Sequence, residues 1–280
     1  MGVTGGTEAA LAVSARAPRQ PLFIRHRAHL IDIAQFLVLA GALGWLTVRG
    51  AQSMGYSWQW YRVPQYFYRV VDGEFIWGPL AKGLVVTLEI SALAFVLAVA
   101  FGLAIALLRM SDSLVGRGIA RTYLEAIRNT PLLVQLYLFY FVLAPILGIE
   151  RFWTGVLCLA IFEGAFASEI FRAGIQSVPR GQWEAANSLG LSPLYRFVFV
   201  VAPQALRLIL PPLTSLAVSL IKHSAIVSVI AIFDLTNEGR NIIADTFLTF
   251  EIWIVVAAMY IVVTGALSLC VSRLETWMKT

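Results

Sequence analysis

Six long apolar segments alternate with shorter polar gaps along the chain. They cover residues 30–48, 79–108, 131–149, 153–174, 196–221 and 251–272. Each reaches the roughly 17–25 residues that a helix needs to cross the hydrocarbon core of a bilayer. The pattern therefore predicts an all-α fold, a polytopic membrane helix bundle with six transmembrane helices. A seventh apolar run, residues 224–233, is about half as long, so we predict a re-entrant or interfacial segment there.

The composition agrees with a membrane protein. Of the 280 residues, 59% are hydrophobic and 13% are charged, whereas a soluble domain carries about 25% charged residues. The 21 lysines and arginines outnumber the 16 acidic residues. In a membrane protein such an excess sets the orientation, so we expect no nucleic-acid partner. The two cysteines lie in apolar runs and the three histidines are scattered, so the sequence indicates neither a metal site nor a catalytic cluster.

The distribution of charge predicts the orientation. Arginines fill the gaps after the second and fourth spans, and the chain before the first span is also basic. Because lysine and arginine are enriched in cytoplasmic loops, we expect these gaps and both termini to be cytoplasmic. Residues 1–29 are then a cytoplasmic N-terminal arm. The loop between the first two spans is rich in tryptophan and tyrosine, as is typical of an outer membrane interface.

A polar island, residues 180–192, separates the fourth and fifth spans. Its first part suits a short helix over residues 181–189, with Glu184 near the positive end of the helix dipole. Gly190 can adopt the left-handed conformation that ends a helix, and Pro193 prevents its continuation. Such a short helix is unstable alone. It must pack either on its own bundle or in a groove of a soluble partner.

The island and the segment after it resemble the EAA loop of ABC importer permeases. The matching residues are Glu184, Ala185, Ala186, Gly190, Val200, Ala202 and Pro203. Ala202 stands where that family commonly has leucine. The stretches "GLVVTLEIS", "RNTPLLVQL", "ASEIFRAGIQSVPRGQWEAANSLG" and "IVSVI" resemble the polar amino-acid uptake branch of the same family. The resemblance covers about residues 79–275, which implies a type I ABC importer permease core preceded by an extra transmembrane helix and periplasmic loop over residues 30–78.

This resemblance implies a function and a set of partners. The chain is expected to be the permease subunit of an ATP-driven importer of polar amino acids in a bacterial inner membrane, and not an enzyme. Residues 180–192 would be the coupling helix, with Glu184, Ala185, Ala186, Gly190 and Pro203 serving ATPase coupling. The implied partners are a cytoplasmic ABC ATPase dimer, a second identical or homologous permease subunit and a periplasmic substrate-binding protein.

The chain contains no phosphate-binding loop of the form G-x-x-x-x-G-K-[ST]. If ATP drives transport, ATP and Mg²⁺ must therefore be bound by the separate ATPase subunit, and no cofactor is expected in this chain.

Ionisable residues inside the spans are candidates for the substrate pathway, because burying charge in a membrane is costly. Glu163 lies near mid-membrane and could pair with a substrate ammonium group, or form a salt bridge or a protonated hydrogen bond inside the bundle. Glu169 is expected to form a structural or gating ion pair with Arg172. Lys222, at the predicted outer mouth, could pair with a substrate carboxylate or extend to lipid headgroups. Thr87 would add polar lining.

A different class of function stays open on the residues alone. An ATP-independent secondary transporter or channel would also be an apolar helix bundle. Its polar island would be packed on its own helices, and it would tolerate the loss of Glu184 and Gly190.

Overall fold

The computed structural model describes the backbone of residues 22–279 and the side chains of residues 31–273. Backbone contacts divide the chain into one unit that ends at Trp58 and a second that begins at Gln59. The first unit contains helix α1 (Leu22–Ser53). The predicted cytoplasmic arm, residues 1–29, lies largely outside the described residues, and α1 begins before the predicted start of the first span at residue 30.

The second unit is almost entirely helical. Its helices are α2 (Pro79–Met110), α3 (Leu114–Arg128), α4 (Leu132–Leu138), α5 (Ala144–Leu147), α6 (Arg151–Gln176), α7 (Arg180–Ser188), α8 (Pro193–Arg196), α9 (Ala202–Ser224), α10 (Leu235–Thr246) and α11 (Thr249–Lys279). Within the described residues of both units, five helical segments are long and apolar enough to cross a membrane, and α3 with α4–α5, bent by 109°, brings the number to six. The predicted all-α membrane bundle is confirmed.

Small residues allow α2 and α6 to approach closely. Every fourth residue of α2 is small and buried over the stripe Ala94, Ala98, Gly102 and Ala106. A Cβ atom on Gly102 would lie 2.5 Å from the Cβ of Ala167, so only glycine fits this crossing. One turn earlier on α2, the carbonyl oxygen of Ala98 lies 3.5 Å from where a Cβ on Gly164 would be. Residue numbers increase together along the contact, so the two helices run parallel.

The return helix α9 runs antiparallel to α6. Gly174 near the end of α6 contacts Ile209, whereas Gly155 near its start contacts Val227, just beyond the end of α9. Because α2 and α6 are parallel, the segments that follow them, α3 and α7, lie at the same end of the bundle. We call this the α7 end, and the opposite one, where α10 packs on the start of α2, the α10 end.

The short apolar run at residues 224–233 is not separated from α9, so a separate re-entrant segment is a wrong prediction, whereas an interfacial location of the run stays a prediction. Residues Ala225–Ile230 form a 3₁₀ helix that continues α9 directly, inside one long apolar segment from Pro193 to Ile230. The turn comes only at Ala231, which has a left-handed φ of 56°. The polar pair at positions 222 and 223 interrupts the apolar pattern in the sequence without ending the helical path.

Two of the crossing helices contain a π-helical turn within a similar sequence. The turns cover Phe139–Leu143, within "FYFVLAP", and Phe197–Val201, within "FVFVVAP". In each, the alanine N–H after the turn donates to the phenylalanine carbonyl five residues earlier. The proline that follows has no N–H and would clash with a carbonyl in a regular helix, so the wider turn accommodates it.

Within the second unit, the loop before α2 packs on the helices through Tyr66, which is buried in the same apolar cluster as Leu80. It also contains a small antiparallel hairpin, β1 (Tyr68–Val71) and β2 (Glu74–Trp77). The connecting Asp-Gly pair has positive φ at both residues, as a tight two-residue hairpin turn requires.

Helix α10 begins at a buried carboxylate at the α10 end. The side chain of Asp234 accepts the backbone N–H groups of Thr236 at 3.1 Å and Asn237 at 3.0 Å, which is an N-cap. The Thr87 hydroxyl accepts the N–H of Leu235 at 3.0 Å. Because Asp234 is fully buried, desolvation raises its pKa to about 6, although these hydrogen bonds favour the charged form.

Candidate functional site

The helix predicted within the polar island forms as α7, over Arg180–Ser188, and it ends in a Schellman motif. Gly190 has a φ of 71° and donates its N–H to the carbonyl of Asn187 at 2.9 Å. The Leu191 N–H donates to the Ala186 carbonyl at 3.2 Å. A residue with a side chain is strained at this φ, so the glycine fixes the angle at which the chain leaves α7.

Side chains from α8 and α9 attach α7 to the start of the next crossing. Arg196 donates to the Asn187 side chain, and its guanidinium lies 5.6 Å from the centre of the Trp183 ring. The Gln204 amide donates to Gln182 at 3.3 Å. Short α7 is therefore tied to the helix that leads into the membrane, and a displacement of α7 would be transmitted to α9.

The outward side of α7 and α8 is exposed and partly apolar. Ala186 faces the bundle at 2% exposure, whereas Glu184 and Ala185 face outward. Three large apolar side chains beside them are also exposed: Leu189 at 78%, Leu194 at 69% and Tyr195 at 57%. A patch of this kind on a membrane protein's polar loop is typical of a protein–protein contact. Leu194 and Tyr195 were not among the predicted contact residues.

A carboxylate–histidine pair connects α6 and α9 in the middle of the bundle. The Glu163 carboxylate is 2% exposed and lies 2.5 Å from Nδ1 of His223. The ring of His223 is about half exposed and packs edge-on against Phe162. Sequence reasoning selected Glu163 but missed His223, because the two residues are sixty positions apart and a single histidine after Lys222 carries no motif.

Lys222 lies at the depth of Glu163, not at the predicted outer mouth. It adjoins His223 and lines a groove of about 360 Å³ between α9 and α11. The groove is rich in hydroxyl groups: Ser215, Ser219, Ser268 and Ser272. The chain therefore continues outward beyond Lys222 through the 3₁₀ helix, which sequence reasoning did not anticipate.

Glu169 is the centre of an ion-pair cluster at the α7 end. Arg172, one turn away on α6, donates two hydrogen bonds to it, at 2.8 and 3.1 Å. Arg109 from the end of α2 forms a close ion pair with the same carboxylate, and Arg128 from α3 approaches to 3.4 Å. The predicted pair with Arg172 is present, but the two distant arginines were not predicted.

Thr87 is separate from the other three predicted pathway residues. Its side chain is fully buried, and its hydroxyl donates to the Gly83 carbonyl at 3.0 Å and accepts the Leu235 N–H. Both hydrogen-bonding functions are therefore used in joining α2 to α10. The structure brings Glu163, His223 and Lys222 to one level of the bundle and leaves Thr87 and Glu169 towards its two ends.

Comparisons with known proteins agree with this architecture. The family described as "Binding-protein-dependent transport system inner membrane component" matches residues 98–279. The chain is 36% identical over 190 residues to the probable glutamine ABC transporter permease protein GlnM of Bacillus subtilis, covering 68% of this chain and 88% of GlnM. It is 35% identical over 223 residues to the L-cystine transport system permease protein TcyB of the same organism, covering 78% and 91%.

Two solved structures of ABC transporters are also similar to this chain. A crystal structure of an amino acid ABC transporter with histidines aligns with a TM-score of 0.66 at 42% identity, covering 71% of this chain and 93% of that chain. An inward-facing MetNI methionine ABC transporter aligns with a TM-score of 0.61 at 16% identity, covering 71% and 95%. The second similarity concerns the fold alone.

Proposed function

Because the chain belongs to the family of binding-protein-dependent transport system inner membrane components, we propose that it is the permease subunit of an ATP-driven importer of polar amino acids. It is a multi-pass membrane transport protein rather than an enzyme. The observation that carries the proposal is α7, a short helix with a fixed exit angle, an exposed apolar patch and bonds to the start of α9.

In this proposal α7 is the coupling helix and docks in a cleft of a cytoplasmic ABC ATPase. Glu184, Ala185 and the apolar patch contact the ATPase, while Ala186 packs on the bundle. ATP and Mg²⁺ bind to the ATPase subunit, not to this chain. Gly190 and the π turn before Pro203 lie between α7 and α9, so a push on α7 moves the helix that carries His223.

The proposed substrate pathway passes the pair of Glu163 and His223. Glu163 is buried, and its only side-chain partner among the described residues is the half-exposed His223 ring, which can move aside. The carboxylate would then pair with the ammonium group of the amino acid. Lys222 and the serines of its groove would donate hydrogen bonds to the substrate carboxylate. Glu169 holds the α7 end of the bundle together, and Thr87 holds the α10 end.

The proposed assembly contains further subunits. A second permease subunit, identical or homologous, provides the other half of the pathway, so that two coupling helices meet an ATPase dimer. A periplasmic binding protein delivers the amino acid at the α10 end. The arginines of α3 and α7 at the α7 end support a cytoplasmic location for that end in a bacterial inner membrane, with both termini cytoplasmic.

A matched pair of glycine variants tests the coupling role. Gly190 and Gly181 both have open space where a Cβ would be, but only Gly190 has a positive φ. Gly190→Val should therefore change the exit from α7 and abolish ATP-driven amino-acid uptake in proteoliposomes. Gly181→Val adds the same side chain without backbone strain and should retain uptake.

Two results would overturn the proposal. Equal uptake by both variants would show that the end of α7 does not couple. Uptake by the wild-type chain alone, without ATP or any ATPase subunit, would favour a secondary transporter or channel.

A further inference from the structure

A small pocket of about 360 Å³ lies between α10 and α11. Four of its lining residues recur three or four positions apart on one face of α10, and two others complete the wall. The lining residues are Asn237, Arg240, Asn241, Ala244, Ile243 and Trp253. We call it the α10 pocket. Its amide and guanidinium groups offer hydrogen-bond donors and acceptors to a polar ligand.

Two contacts hold the helices of the α10 pocket in place. The backbone N–H of Asn237 donates to the Asp234 carboxylate at 3.0 Å, which fixes the first turn of α10. A Cβ atom on Gly239 would lie 2.9 Å from Cγ2 of Val256, so α10 packs closely on α11. The groups that line the pocket are therefore carried by two helices that are fixed relative to each other.

A buried amide in the α10 pocket has no hydrogen-bond partner within the described part of the chain. Asn237 is 7% exposed and lines the pocket, yet its side-chain amide bonds to no group described in residues 31–273. Nearly all buried polar groups in proteins are paired, and leaving one unpaired costs stability. The amide is therefore placed to bind a polar group that enters the pocket.

The charge of the pocket is also unbalanced. Arg240 is the one charged side chain among the described lining residues. Neither Arg240 nor Asn241 has an ion pair or a side-chain hydrogen bond with the groups that the structure describes, and both are exposed. The two carboxylates at the start of α10 are engaged elsewhere, because Glu238 lies near Lys82 and Asp234 caps the helix.

A single guanidinium beside two amides matches a carboxylate. Arginine binds a carboxylate with two parallel hydrogen bonds, whereas phosphate groups are typically recognised by clusters of arginines. The amide oxygens of Asn237 and Asn241 can accept from an ammonium group. The Trp253 ring, at 39% exposure, can attract the same cation over its face. The set fits a molecule that carries one carboxylate and one ammonium group.

We propose that the α10 pocket is an entry site that binds the charged head of an amino acid. Arg240 donates to the carboxylate, while the two asparagines and Trp253 hold the ammonium group. This inference rests on the proposed function, in which the amino acid arrives at the α10 end. The site is separate from the Glu163–His223 pair in the middle of the bundle, so a substrate binds here before it enters the pathway.

Trp253 supplies a reporter inside the pocket. The full chain, with the subunits that copurify, is labelled with 5-fluorotryptophan, and the resonance missing from Trp253→Phe is assigned to Trp253. Fluorine NMR follows this resonance during titration with glutamine, histidine or arginine in the absence of ATP. At least one of these amino acids should shift the resonance, whereas its α-amide, which lacks the carboxylate, should not.

Variants of Arg240 test the assigned contact. Arg240→Gln should weaken the binding about tenfold or more, because a hydrogen bond between charged groups is lost. Arg240→Lys keeps the charge without the two parallel donors and should weaken it less. The control is Arg69→Gln, which removes an exposed arginine from β1 at the same end of the molecule and should leave the titration midpoint unchanged.

Four results would overturn the entry site. They are no shift with any of the three amino acids, an equal shift by an α-amide, equal midpoints for Arg240→Gln and wild type, and loss of the shift in nanodiscs that contain phosphatidylglycerol. The last would assign the pocket to a lipid headgroup. ATP-driven uptake alongside any of these results would leave the proposed function intact. Conversely, a shift that depends on Arg240 in a chain without ATP-driven uptake would support the site and overturn the importer.

Discussion

Glu163 and Glu169 lie six residues apart on α6, yet their surroundings differ completely. Six residues correspond to about 9 Å along a helix and to faces about 120° apart. Glu163 is 2% exposed and faces a single histidine from α9. Glu169 is more exposed and faces three arginines from α2, α3 and α6.

The comparison separates a carboxylate that can change partners from one that cannot. Three guanidinium groups saturate the oxygens of Glu169, and a substrate ammonium would have to compete with permanent charges. Among the side chains described in residues 31–273, Glu163 has one partner, which is an exposed ring on a helix tied to α7. A substrate can replace that partner without breaking a network, so the pathway is proposed at Glu163 and the structural role at Glu169.

Neutralising Glu163 should have the largest effect. Glu163→Gln keeps the shape and a hydrogen bond to His223, so the melting temperature should change little. Uptake should fall about a hundredfold, since a contact between charged groups of about 3 kcal/mol is lost. The measurement is amino-acid uptake by the assembled transporter in proteoliposomes.

Glu89→Gln is the control for this change, because Glu89 is an exposed carboxylate inside α2. If Glu163→Gln and Glu89→Gln transported equally well, Glu163 would have no place in the pathway.

Neutralising Glu169 should affect stability instead. Glu169→Gln leaves three arginines facing one another, and removing one partner of a partly buried ion pair costs about 3 kcal/mol. The melting temperature in detergent should fall by about 6–12 °C. Arg128→Gln removes only the longest of the three contacts, at 3.4 Å, and should lower it much less. An unchanged melting temperature for Glu169→Gln would mean that the cluster contributes nothing to the fold.

A third carboxylate, Asp234, sharpens the comparison because it is buried and forms no ion pair with the side chains that the structure describes. Burial raises the pKa of the neighbouring Glu238, the charge of Lys82 lowers it and the charge of Asp234 raises it. Burial raises the pKa of Asp234 from 3.8 to about 6. Between these values the native protein binds a proton that the unfolded chain does not. Stability from this group is therefore complete below pH 4 and is lost as the pH rises through 6.

The smallest predicted effect concerns the loss of stability that the ionisation of Asp234 causes as the pH rises. Asp234→Asn retains an N-cap acceptor but cannot titrate. Between pH 4 and pH 7 the melting temperature of wild type should fall, and that of the variant should fall by a few degrees less. Only part of the pKa difference should appear, because the unfolded state in detergent retains structure. Parallel pH profiles for the two proteins would assign the titration to another group.

The crossings and α7 could be predicted from sequence because their causes are local. Long apolar runs and a glycine followed by a proline each act within one helix. The convergence of Arg109 and Arg128 on Glu169 depends on how α2, α3 and α6 pack. No local pattern encodes a contact across sixty residues.

The same reason explains the other differences. Helix α3 lies in a gap that its arginines marked as a cytoplasmic loop, although its apolar residues follow a helical period. His223 looked isolated because its partner is on another helix. The apolar run after Ser224 looked independent because two polar residues precede it, whereas in the structure its 3₁₀ helix continues α9 and Val227 packs beside Gly155.

The π turn before Pro203 adds one residue to a turn of the helix that leads into α9. A π turn contains about one residue more than an α turn, so tightening it to α geometry would rotate everything beyond it by about 100° and shift it by about 1.5 Å. His223 is on that far portion, whereas Glu163 is on α6, which has no such turn. The "FVFVVAP" segment can thus convert a small translation at the α7 end into a large rotation of α9, which would turn the His223 imidazole beside Glu163.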